Sequence, residues 1–249
     1  MRPVIWGICA ALLLAVPAAA DPPTKPATSF QKAKKIARET IYADHRTTFY
    51  CGCAYTPNQT GTSGVIDHAS CGYEIKHIES RANRLEWEHV MPAARFGRGR
   101  DCYEQREMFP KCFKANGKLR SRRECCQKVD AGFKTAHNDL HNLTPSVGEV
   151  NADRSALPYG IVEDEPREYG SCDFEIGEEP KVAEPAEAVR GDVARIWLYM
   201  AETHGVALTV EERGMFERWA EADPVSNWER ERDELIESQQ GSRNRLIRP

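Results

Sequence analysis

The chain has 249 residues, is 29% charged and carries a formal net charge of −4 at neutral pH. That length suits one elaborated domain, and the net charge excludes a protein coated in cations, so any binding of a polyanion must rest on a local concentration of charge. There is no internal repeat and no Gly-rich loop of the kind that cradles phosphates.

Met1-Arg2 is a short positive region, Val4 to Val16 an apolar run, and Ala18-Ala19-Ala20 a small-residue cleavage site before polar Asp21. This pattern is expected to be a secretory leader cut after Ala20, too short and wrongly flanked for a membrane span. Its style fits a bacterial exporter, and no later stretch approaches the length of a spanning helix. Removal of the leader takes Cys9 with it and leaves Cys51, Cys53, Cys71, Cys102, Cys112, Cys125, Cys126 and Cys172. An even number of cysteines in an oxidising compartment reads as a disulfide framework. The rival, zinc thiolates, is disfavoured because Cys51-Gly-Cys53 and Cys125-Cys126 lack the spacing of a metal knuckle. Cysteines so close together must pair with others elsewhere in the chain.

A Pro-rich linker is expected from Asp21 to Thr28, then a helix capped by Ser29 and running to about Tyr42, with Phe30, Ala33, Ile36, Ala37 and Ile41 along one side. Phe49 to Cys53 reads as a strand start, Asn58 to Gly64 as turns, and Cys71 to Ile78 and Arg84 to Met91 as strands. Asn58-Gln59-Thr60 would accept a glycan only in a eukaryotic host.

Glu88-His89 lies inside the last of these strands. Neighbouring side chains of a strand face opposite ways, so the two share a cleft only at a strand end or bend, and Pro92 is a natural cause of one. A carboxylate is a hard-metal ligand and a His titrates near neutrality, which together are parts of a metal-assisted hydrolytic site. The alternative is a buried strand with a satisfied His and a structural Glu. Residues 93 to 135 read as a long loop. Between Arg95 and Lys134 it gathers twelve Lys and Arg against five Asp and Glu, either a phosphate-holding surface or a solvated charged loop.

Leu140 and Leu143 are expected in a short strand, and Thr144-Pro145 as the N-cap and first residue of a helix with Val147, Asn151 and Arg154 along one side. Asn is a poor mid-helix residue, and a metal-bound amide oxygen would explain Asn151, as would simple solvent exposure. Ser155 to Val182 is acidic and rich in Pro and Gly. Helices follow over Ala188 to His204, Val210 to Glu221 and Asn227 to Gln239, their aromatic residues serving the core.

Glu86-Trp-Glu-His-Val-Met-Pro-Ala93, Phe96-Gly97, Asp139-Leu-His-Asn-Leu143 and Gly148-Glu-Val-Asn-Ala-Asp-Arg-Ser155 occur in that order and resemble the secreted endonuclease I family of bacterial nucleases. Phe49-Tyr-Cys-Gly-Cys53, Cys71-Gly-Tyr73 and the C-terminal helices extend the resemblance over nearly all of residues 29 to 249. It implies an α+β fold, a disulfide-stabilised mixed α/β single domain with an embedded ββα-metal (His-Me finger) core. It also implies that Glu88 and Asn151 bind one divalent cation, Mg2+ with Ca2+ or Mn2+ as alternatives, and that His89 is the general base. An Arg three residues before a Cys stabilises the phosphate in that family. Here Arg122 and Arg123 compete, and counting back from Asp139 favours Arg123.

The chain departs from the family pattern by a longer Cys102–Cys126 loop carrying Cys112 and Cys125, which the resemblance implies pair with each other. It also lacks cysteines after Trp228. The implied activity is hydrolysis of DNA, and of RNA, with little sequence preference and 5′-phosphate and 3′-hydroxyl ends, by a periplasmic or extracellular monomer. Two other classes remain open: a zinc hydrolase using His89, Asp139 and His141, and a non-catalytic binding module. Asp139 and His141 are otherwise expected to be structural.

Overall fold

The computed structural model describes residues 22–58, 63–163 and 166–248. The expected leader, and most of the Asn58-Gln59-Thr60 triplet, lie outside the described residues. Ser29 caps helix α1 (Phe30–Ile36) by accepting from Lys32 N, and the helix continues in a wider turn over Ala37–Ile41. Ala33, Ala37 and Ile41 are buried, as their spacing predicts. Ahead of it, Lys25 N donates to Gln240 O at 2.9 Å and Ala27 O accepts from Asn138 Nδ2 at 2.9 Å, so the Pro-rich segment lies on the body.

Phe49 to Cys53 is a tight turn rather than a strand start. Thr48 N donates to Cys53 O at 2.8 Å, Gly52 takes φ +66°, and Cys51 and Cys53 leave in different directions for Cys172 and Cys71. A β-carbon is disfavoured at that φ, so the glycine makes the turn possible. Strands β1 (Tyr55–Pro57) and β2 (Gly64–Ile66) pair antiparallel just after it.

The expected strand over Cys71 to Ile78 is also absent. Its backbone N–H groups find a different acceptor: those of Lys76, His77 and Ile78 all donate to the Glu149 carboxylate, and Tyr73 joins them. A carboxylate that takes a run of amides leaves nothing for a ladder. Helix α2 (Glu79–Ala82) then leads into β3 (Leu85–His89).

Residues 93 to 135 are short helices where a loop is expected: α3 (Ala93–Gly97), α4 (Asp101–Glu104), α5 (Arg122–Val129) and α6 (Ala131–His137). The capping signals are there, since Ser121 and Glu124 form a reciprocal capping box and Asp130 caps α6. The apolar period is not, because α5 buries Cys125 and Cys126 where a helix ordinarily shows Leu or Ile. The disulfides Cys102–Cys126 and Cys112–Cys125 hold this region together, the second in agreement with the pairing that the resemblance implies.

Strand β4 (Leu143–Val147) pairs antiparallel with β3, with Glu88 opposite Thr144 and His89 opposite Leu143. Thr144-Pro145 is therefore inside a strand and does not start a helix. Each strand of a two-stranded sheet has a free edge, which tolerates proline, and Pro145 O accepts from Phe49 N at 2.7 Å. Helix α7 (Gly148–Arg154) begins where the chain presses closest to α2: a β-carbon on Gly148 would lie 2.5 Å from Arg81 O. The acidic segment after α7 contains a hairpin the composition conceals, β5 (Phe174–Glu178) with β6 (Lys181–Pro185).

Helices α8 (Glu187–His204), α9 (Val210–Ala222) and α10 (Asn227–Gln240) follow the expected spans within a residue or two. Trp197, Met200, Phe216 and Trp219 are buried among them, which confirms their role as core. The class is thus α+β, helices around small separate sheets with four disulfides. No helix among the described residues is long and apolar enough to cross a membrane.

Asp139 fastens α8 and α10 to the segment that enters β4. It is fully buried and accepts from Tyr199 Oη (3.0 Å), His204 Nε2 (2.8 Å) and Gln240 Nε2 (2.8 Å). Burial alone would raise its pKa, but His204 and the other donors overcome this and bring it down to about 2. A folded pKa below the unfolded one means the stabilisation is present above pH ~4 and is lost as pH falls toward ~2. Asp139→Asn should therefore lower stability at pH 7 by about 2 kcal/mol and flatten its fall between those limits. Urea denaturation of parent and variant at both pH values checks this; equal stability at pH 7 would contradict it.

Candidate active site

Strand β3 ends at His89, and Val90-Met91-Pro92 is built to bend. Val90 N donates to Asn142 O, Met91 N to Asn142 Oδ1 at 2.7 Å, and Asn142 Nδ2 returns a bond to Met91 O. Val90 O turns inward and accepts from Arg154 Nη2 (2.6 Å) and Trp197 Nε1 (3.0 Å). Pro92 comes next, so the break expected from that proline is made by buried polar partners just before it. With the alternation interrupted there, Glu88 and His89 line one cleft of about 640 Å³ together with Phe30, Glu86, Arg123 and Asn151.

His89 is buried, and its Nε2 lies 2.8 Å from His137 O. A carbonyl only accepts, so the ring proton sits on Nε2 and Nδ1 is the unprotonated nitrogen. Phe30 stacks on the imidazole at 5.0 Å between centroids and the His137 ring lies 4.5 Å away. Burial first, then the positive fields of His137, Arg123 and Arg154, hold its pKa well below 6.5. A neutral imidazole with a bare nitrogen is the form that can take a proton.

Glu88 is buried beside it. Tyr50 Oη donates to Oε1 at 3.3 Å, and Arg154 Nε lies 3.5 Å from the same oxygen. Burial pushes the carboxyl up to about 7, against the pull of Arg154, Tyr50 and Arg123. Asn151, on α7, donates through Nδ2 to Glu86 Oε2 at 2.7 Å. Glu86 is itself gripped by Arg81 and Arg84, which with Asn151 keep it ionised below the usual carboxylate range although burial opposes them. Because a carboxylate only accepts, the Asn151 nitrogen must face Glu86, and Oδ1 is its remaining donor atom for a metal.

One carboxylate and one amide oxygen on a common cleft form a hard-oxygen donor set suited to Mg2+ or Ca2+ and unlike a zinc site. Among the described residues no group of three His, Cys, Asp or Glu side chains is placed to hold a metal. Asp139 and His141 do not line the cleft; they are buried against α8 and α10, with His141 Nε2 3.2 Å from Ser242 O. The trio His89, Asp139 and His141 is thus not brought together.

Arg123 lines the cleft and acts electrostatically on Glu88, His89 and His137. Arg122 is not among the lining residues and lies over the Tyr103 ring, 5.6 Å from its centroid. Two supporting residues had readable signals: Glu86 shares a strand face with Glu88 at i, i+2, and Arg154 shares a helix face with Asn151. Tyr50, Asn142 and the His137 carbonyl had no such periodic signal, since they come from outside β3 and α7: from the Phe49–Cys53 turn, the residues just before β4 and the end of α6.

This geometry carries a spectroscopic expectation. Long-range ¹H–¹⁵N correlation of the free protein should show His89 as the neutral Nε2–H tautomer, and it should stay neutral when pH is lowered past the ordinary imidazole value of 6.5 because its pKa is depressed. An Nδ1–H tautomer, or a cationic ring at pH 6.5, would contradict the arrangement.

Known proteins resemble this chain over most of its length. Residues 29–249 match the family model described as Endonuclease I. The chain is 37% identical over 219 residues to Endonuclease-1 of Buchnera aphidicola subsp. Acyrthosiphon pisum, covering 88% of this chain and 80% of that one. It is 37% identical over 222 residues to an extracellular deoxyribonuclease of Aeromonas hydrophila, covering 89% of each. A periplasmic deoxyribonuclease of the same species is 36% identical over 208 residues, covering 83% and 80% respectively. At that identity and coverage, the chain belongs to the Endonuclease I family of nucleases.

Proposed function

We propose that this protein is an exported, periplasmic or extracellular endonuclease that hydrolyses DNA, and RNA, with one divalent cation and little sequence preference. The observation that carries the reading is the convergence of Glu88, His89, Asn151 and Arg123 on a single cleft, with a tautomer-locked His89 among them. Residues 1–20 are its leader, 21–28 a connecting segment and 29–249 the nuclease domain, which acts as a monomer. The β3–β4–α7 unit is its ββα-metal core.

In this reading, Nδ1 of His89 takes the proton of an attacking water, while the His137 carbonyl fixes the ring from behind. Glu88 and Asn151 hold the cation, Mg2+ or one of its hard relatives Ca2+ and Mn2+. When bound, it supplies positive charge to a phosphate oxygen and the leaving 3′-oxygen. Arg123 offsets the further charge that gathers on the pentavalent phosphorus. The water oxygen bonds to phosphorus as the P–O3′ bond breaks, and the departing 3′-oxygen takes a proton from solvent, leaving a 5′-phosphate and a 3′-hydroxyl. The charged groups of the cleft suit phosphate, which every sequence presents alike.

A plasmid-nicking assay with and without EDTA tests the reading directly, and nicking that survives complete chelation would end it. His89→Ala should cut the rate by roughly a hundredfold or more, while a loss of less than about tenfold would remove His89 from the base role. Glu88→Ala and Asn151→Ala should each raise the magnesium concentration needed for half-maximal rate; an unchanged titration would exclude that residue as a ligand. Arg123→Ala should lower kcat at saturating substrate and Arg122→Ala should not.

A further inference from the structure

The segment Cys102 to Cys126 holds seven Lys and Arg against three Asp and Glu, in a chain whose net charge is −4. It is a closed lobe. Cys102–Cys126 ties its base, Cys112–Cys125 ties its middle to α5, Phe113 bridges Leu119, and Lys114 N donates to Lys118 O across a turn at Gly117. Arg106 Nη1 and Arg120 Nε add bonds to Arg120 O and Lys111 O.

Its cations lack the acidic partners that several other cations of the molecule have. Arg95, Arg100, Arg195 and Arg248 are neutralised by Glu212, Asp130, Glu229 and Asp233. Among the described residues Lys111, Lys114, Lys118, Arg122 and Arg123 have no ion pair, and all five are exposed. Of the lobe's own acids, Glu124 is already engaged by Ser121 in the cap of α5.

The lobe also abuts the active site. Arg123, two residues before Cys125, lines the catalytic cleft, and so does Tyr103, beside Cys102. Cys112 and Cys125 have Cα atoms 4.7 Å apart. Chain geometry then keeps the Cα atoms of Lys111 and Lys114 within roughly 17 Å of that of Arg123. On duplex DNA that is about five base-pair steps, each with two phosphates.

We propose that this disulfide-stapled lobe is a second DNA-binding subsite, with Lys111, Lys114 and Lys118 holding backbone phosphates to one side of the phosphate being cut. The inference rests on the nuclease reading above and extends it. The two disulfides keep the cations in place against their mutual repulsion, so the site is preorganised for a polyanion. Released counterions supply the affinity, and the net acidity of the rest of the chain confines productive binding to this side. A substrate too short to reach the lobe is cut using the cleft alone.

The test compares a duplex of about 4 base pairs closed by an uncharged linker, shorter than the steps between cleft and lobe, with a duplex of about 24 base pairs. The parent is expected to show a KM about tenfold lower on the long duplex. A variant combining Lys111→Gln, Lys114→Gln and Lys118→Gln should lose that advantage and keep its kcat and its short-duplex kinetics. Its log KM should also depend less steeply on log salt, by up to about three, near one for each lysine removed.

Equal behaviour of parent and variant on the long duplex would overturn the proposal while leaving the nuclease reading intact; failure of the parent to cut any nucleic acid would instead defeat that reading. Acetylation mapping of the His89→Ala protein supplies an independent readout, since the three lysines should be protected by the long duplex. Full reactivity in its presence overturns the subsite. Lysine-dependent retention on phosphatidylglycerol vesicles with unchanged long-duplex kinetics would assign the lobe to a membrane surface and likewise overturn it.

Discussion

The carbonyl of Val90 is the point on which this structure turns. It has left the ladder of β3 and is held by Arg154 and Trp197, from α7 and α8, while Asn142 takes over the backbone of Met91. Without those partners the strand would have to continue, and consecutive side chains would point to opposite faces. A buried carbonyl cannot be left unpaired without a cost of about 1–3 kcal/mol, so the bend and the helices that satisfy it are stable only together. The cleft is thus a consequence of how the helices pack on a two-stranded sheet.

Arg154 links that bend to the chemistry. The same guanidinium that serves Val90 lies beside Glu88, with the Tyr159 ring against it at 4.6 Å. Removing one partner of a buried ion pair typically costs about 3–5 kcal/mol, which ties Glu88 to its place more firmly than a solvent-exposed carboxylate could be. Positive charge from Arg154 and Arg123 also keeps His89 neutral. A cleft with the carboxyl groups of Glu86 and Glu88, cationic walls and an uncharged imidazole suits an anionic substrate together with a cation.

The disulfides solve a different problem. The described residues before α8 form only short helices and two-stranded sheets, which hold few long ladders and little continuous apolar surface. Cys51–Cys172 closes a separation of 121 residues and draws the turn that carries Tyr50 toward the β5–β6 hairpin. By loop entropy a crosslink of that span contributes about 4–5 kcal/mol. Export to an oxidising compartment and an active site assembled from such short pieces therefore go together.

Much of this was legible in the chain itself. Cysteine parity, the leader pattern, the apolar periods of the C-terminal helices and the ordered motifs around Glu88, His89 and Asn151 all reside in local residue order, where capping, periodicity and charge act. The class of the protein and its candidate site followed from them. Where the sequence misled, the competing interaction came from far along the chain. Glu149 takes the amides of Lys76 to Ile78 and prevents a strand, the β3 partner holds Thr144-Pro145 extended, and buried cysteines replace the apolar stripe of α5. Counting along the chain already favoured Arg123 over Arg122 and a structural place for Asp139 and His141, whereas the tautomer of His89 was decided only in three dimensions. Adjacent residues in a sequence carry no record of which face of a helix meets a distant carbonyl, and that is what selected the tautomer.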